Sequence, residues 1–150
     1  MPGYVKPALA YLVPVFGLAF GLGVLRTLWI APLTGPLAAV AAEVPLLLAW
    51  SWLVAGRVLR RWPLPLRDRI AMGALAFALL MLAEAGLALA TGQNLRGFLG
   101  DMATPAGALG LAGQLAFAAL PALRATLPQA AGRALPVGQR SLRQSARPRR

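Results

Sequence analysis

Residues 26–45 read RTLWIAPLTGPLAAVAAEVP, and the placement of two charges within them decides how the chain is organised. Arg26 closes one long apolar run and Glu43 is sunk inside the next, with Trp29, Pro32, Gly35 and Pro36 between them. Proline and glycine at this spacing are turn chemistry, one fixing φ and the other permitting positive φ. A charge within a membrane-length segment costs roughly 2.5–3.5 kcal/mol on insertion scales, so Glu43 is expected to have a partner. Residues 26–35 are therefore expected to turn the chain between two spans.

Before the turn, residues 8–25 (ALAYLVPVFGLAFGLGVL) carry no charge. At a rise of about 1.5 Å per residue they cover roughly 27 Å, enough for the hydrocarbon core. A signal peptide competes for such an early apolar run. This one is long for that role and is followed by Arg26, not by a small-residue cleavage site, so a retained span is expected. Pro14 is expected to bend it. Gly17 and Gly21, with Ala19 and Gly23 on a neighbouring face, have the small-xxx-small spacing that lets helices approach closely, here expected within one bundle.

Beyond the turn, the second span is expected over residues 36–59, with a kink at Pro45 beside Glu43. The third, 70–90, contains Glu84, and the fourth, 105–123, contains Gln114. The fourth is the richest in Gly and Ala and is expected at the bundle centre. Residues 91–104 read as a polar connection. The fold class is all-α: a four-helix integral membrane bundle in one domain, 1–123, with a basic tail, 124–150, expected to be disordered.

Composition agrees. Hydrophobic residues make up 59% and charged ones 13%, against about 45–50% and about 25% in soluble domains. The mean hydropathy is +0.67. With neither Cys nor His, thiol chemistry and the usual zinc, haem and copper ligand sets are excluded, so no cofactor or metal is expected. Neither a nucleophile elbow, a P-loop, a metalloprotease motif nor a dinucleotide fingerprint is present, and no reaction class is indicated.

The net charge is +11, and its placement sets orientation. Arg57, Arg60, Arg61, Arg67 and Arg69 crowd the link between spans two and three, and seven arginines follow from Arg124 onward. The positive-inside rule then puts both termini and this link in the cytoplasm; abundant Ala, Leu, Arg and Pro suggest a GC-rich bacterial genome, so a bacterial inner membrane is expected. There the arginines are expected to meet anionic lipid headgroups, at about 1 kcal/mol per basic residue near the surface. Nucleic acid is not an expected partner, because the tail has no aromatic residue on which a base could stack.

With this orientation Glu43, Glu84 and Gln114 lie roughly 10, 9 and 13 Å below the outer surface. Arg26, at the outer end of span one, can reach the same level. Arg26 pairs most naturally with Glu43, and Glu84 with Gln114. Two carboxylates at one apolar depth are not both ionised cheaply, so Glu84 is the expected holder of a proton. Two functional readings follow. In the first, the protein is an accessory or interaction subunit of a membrane assembly, and the cluster locks helix register. In the alternative, it is a small transporter or proton-coupled binding protein using Arg26, Glu43, Glu84 and Gln114 at a periplasmic-side site.

Gly23, Arg26, Leu28, Trp29 and Pro32, then Glu43 near Pro45, then Arg60 and Arg61 form a pattern over the first half of the chain. It resembles that of a group of small four-span bacterial inner-membrane proteins with no assigned role. The resemblance implies the four-span fold and no activity.

Overall fold

The computed structural model describes residues 2–124; the expected disordered tail beyond Arg124 lies outside them. The described residues form helices and no strand: α1 (Val5–Leu25), a π-helical turn (Arg26–Ile30), α2 (Ala31–Thr34), α3 (Pro36–Arg61), α4 (Leu66–Ala90), α5 (Leu95–Met102) and α6 (Pro105–Leu123). Four helical stretches are long and apolar enough to cross a membrane: Val5–Thr34, Pro36–Arg61, Leu66–Ala90 and Pro105–Leu123.

The first stretch corrects the expected turn. Residues 26–35 do not reverse the chain at Arg26; the helix runs on to Thr34. Pro32 has no N–H to offer Leu28, and its ring would crowd that carbonyl. A widened turn just before it, in which the Ala31 N–H reaches back to the Arg26 carbonyl, accommodates the proline. Reversal happens only at Gly35, whose φ of +86° is open to glycine and costly for other residues. Pro36 then opens α3 at its first turn, where a missing N–H is harmless.

A second correction concerns residues 91–104, which contain α5. Asn94 caps it by accepting from the Gly97 N–H at 2.7 Å, and Thr104 caps α6 by accepting from Gly107 at 3.1 Å. The spacing of Leu95, Phe98, Leu99 and Met102 is the helical signal in this stretch.

The four long helices form a ring in the order α1, α3, α6, α4; sequence neighbours α3 and α4 lie across it from each other, as do α1 and α6. The buried core occupies one half, near the end where α1 and α4 begin and α3 and α6 finish. There Ala8, Tyr11 and Val15 meet Val54, Ala55, Val58, Met72, Ala76 and Phe117. In this half α4 and α6 approach backbone to backbone, since a Cβ on Gly73 would strike the Ala118 carbonyl. The small-residue helix α6 packs on α3 and α4, as one wall of the ring and not at its centre.

Tyr11 bridges the ring. Its ring stacks on Phe117 at 4.5 Å between centroids, and its hydroxyl donates to the Phe117 carbonyl at 2.8 Å. That carbonyl would ordinarily accept from the residue four further on, which is Pro121 and has no N–H. The tyrosine therefore satisfies a carbonyl that the proline leaves free. At the same end the Arg124 guanidinium lies over the Trp52 ring, 4.4 Å from its centroid, and against Gly56.

The Gly17–Gly21 expectation is also corrected. A Cβ at Gly17, Gly21 or Gly23 would meet nothing within 4 Å, so this spacing is not used for packing inside the bundle. Burying the Tyr11 and Phe117 rings turns the opposite face of α1 outward, where Leu9 and Val13 are exposed among the described residues.

The bridge yields a non-additive prediction. Tyr11→Phe should cost about 1 kcal/mol in reversible unfolding from detergent. In a Pro121→Ala background the restored N–H supplies the missing donor, and the same change should cost less than half as much. Equal costs in both backgrounds would show that the hydroxyl does not serve the orphaned carbonyl.

Candidate functional site

In the far half, away from that core, the helices border a half-open cavity of about 780 Å³. Val15, Ser51, Leu80 and Phe117 line it where it meets the core. Higher up, α1 contributes Phe16, Ala19 and Gly23, α3 contributes Val40, Glu43 and Leu47, and α6 contributes Gly110, Leu111 and Gln114. The π turn and α2 stay beside α3 and do not touch α4. This leaves the cavity open between the far ends of α1 and α4, where Phe20, Val24 and Leu28 are both lining and exposed.

All four residues singled out from the sequence line this space. Arg26 Nε lies 3.3 Å from Glu43 Oε2, with the Arg26 side chain 35% exposed and that of Glu43 12% exposed. The π turn sets this reach, because it starts at Arg26 and changes the direction in which the next turn projects. Glu43 Oε2 is buried, and the ion pair is its contact although the angle falls short of a hydrogen bond. Gln114 Nε2 donates to both oxygens of Glu84, at 2.7 Å each. The cluster is thus two pairs, each crossing between helices: α1 with α3 by way of the π turn, and α4 with α6.

Four further contributors were missed in the sequence reading. Asp101 and Phe98 reach the cavity from α5; Asp101 Oδ2 accepts from Gln93 Nε2 at 2.6 Å. Their signal was the capped helical spacing of 94–102. Phe117 was unremarkable in an apolar run. Ser51 is 1% exposed and its Oγ has no hydrogen-bond partner. It lies beside the Tyr11 hydroxyl, whose proton is already given to Phe117.

The five link arginines lie at the opposite end. Arg57, Arg60, Arg61 and Arg67 are exposed and Arg69 is half-buried, donating from Nε to the Leu64 carbonyl at 2.7 Å. None of the five lines the cavity. Trp50 donates from its indole to the Pro14 carbonyl at 3.1 Å and ties α3 to α1. No family model, curated protein or solved structure matches the chain.

Removing one member of a shielded ion pair strands the other. Arg26→Met should therefore destabilise by about 2 kcal/mol, less than for a sealed pair because Arg26 is partly exposed. Arg26→Met with Glu43→Leu should recover most of that loss. A double variant as unstable as the sum of its parts would mean that the two side chains do not interact.

Proposed function

We propose that the chain is a multi-pass protein of a bacterial inner membrane, with both termini and the arginine-rich link in the cytoplasm, that binds a small ligand in its periplasmic-side cavity and exchanges it for protons. One observation carries this reading. The polar side chains of three spans and the π turn line one open cavity of about 780 Å³, where a purely architectural cluster would be packed shut. The volume falls in the range of small-molecule sites, about 300–1,000 Å³. Mostly apolar walls with a few converging polar groups are what such sites use. The orientation rests on the five link arginines, gathered at the end remote from the cavity. The four helices long and apolar enough to cross a membrane support the membrane assignment.

A second reading, as an accessory subunit, is favoured by the outward face of α1. Gly17 and Gly21 leave room there for another helix to approach. Recovery of a stoichiometric partner from native membrane in mild detergent would favour it.

The absence of cysteine makes the main reading directly testable. A lone cysteine at Leu111, in the cavity, should react with a membrane-impermeant maleimide applied from the periplasmic side. One at Pro63, in the arginine-rich link, should react only once the membrane is opened. Glu84→Gln should keep full folding yield, because the amide preserves shape and a partner for Gln114. A Leu111→Cys protein unreactive from either side, or a Glu84→Gln protein that fails to fold, would leave the cluster as architecture.

A further inference from the structure

We propose that the cavity ligand is an organic cation with an apolar, aromatic-sized body; this rests on the binding-site reading above. The first argument is the distribution of charge. The chain has fifteen basic residues and four acidic ones. Three of those four acids, Glu43, Glu84 and Asp101, line this single cavity, together with one base, Arg26. A strongly cationic protein thus has an anionic interior site.

Pairing sharpens the imbalance. Arg26 is engaged by Glu43, which leaves Asp101 and Glu84, whose expected proton an entering cation would displace to expose the carboxylate. Their partners, Gln114 and Gln93, are amides that steady a carboxylate without neutralising it. An anion entering here would meet like charge from the exposed Asp101 and again from the half-buried Glu84, where water screens it less. A cation would meet the attraction those carboxylates have left over.

The walls argue for an apolar body on that cation. Phe16, Phe20, Phe98 and Phe117 line the space, and aromatic faces attract cations held close to them. A bare inorganic ion would want a compact set of oxygen ligands. Among the described residues no three acidic, His or Cys side chains come together in that way. Ser51, buried with an unpartnered Oγ at the cavity floor, supplies a hydrogen-bonding group beyond the carboxylates.

The test uses two ions of one shape and opposite charge. Full-length protein in detergent is titrated with tetraphenylphosphonium and, separately, with tetraphenylborate. Tetraphenylphosphonium should bind saturably and slow maleimide labelling of the Leu111→Cys variant at least fivefold. Glu84→Gln, which removes charge and keeps shape, should weaken its binding at least tenfold, and Asp101→Asn by a smaller factor. Tetraphenylborate should do neither. If tetraphenylborate protects Leu111→Cys as well as the cation does, or Glu84→Gln leaves cation binding unchanged, the cation assignment is overturned while the cavity remains a ligand site. If neither ion protects a cysteine that labels readily, the cation assignment again falls alone. If that cysteine never labels, the site reading falls with it.

Discussion

A single carbonyl, that of Phe117, governs how this bundle is divided. Pro121 removes the N–H that would have satisfied it within α6, and an unpaired carbonyl in an apolar interior costs more than a hydrogen bond returns. Tyr11 answers from the opposite corner of the ring, through both its hydroxyl and its stacked face. Because α1 and α6 have no closer backbone contact, this bridge is what closes the centre. The main core lies on one side of it and the cavity on the other.

The two halves are built from different materials. Near the termini the interior is filled by Ala, Val, Met and aromatic side chains, with Gly73 letting α4 and α6 approach to backbone distance. The far half keeps polar groups from three spans and the π turn that could not be packed against apolar neighbours without cost. Each pair there joins two helices, so the same groups that hold the cavity walls also give it chemical character. Charge follows the same division, with the link arginines at the closed end and three of the four acids around the opening.

Much of the site was legible because hydrocarbon makes polar residues conspicuous. Glu43, Glu84 and Gln114 stand out in apolar runs, and counting residues places them at one depth. Arg26 was legible as a partner but not in its position, since Pro32 looked like a stop and the π turn that accommodates it leaves no pattern in the residues. Gly17 and Gly21 were misread for a related reason. Small-residue spacing says that a helix can approach, and only the burial of Ala8, Tyr11 and Val15 says which face of α1 meets the bundle. Asp101 went unnoticed because an acid in a polar connection is ordinary until a helix raises it to the cavity mouth.

The residues by themselves determined the four long apolar helices and the common level of the buried polar groups, because helical rise and the cost of charge in hydrocarbon act locally along the chain. Only the tertiary structure decided that α3 and α4 face each other across a ring, that Tyr11 closes its centre and that the polar groups surround open space. Those outcomes depend on how helix faces rotate toward one another, and rotation is set by contacts between residues as far apart as Tyr11 and Phe117, which no local pattern encodes.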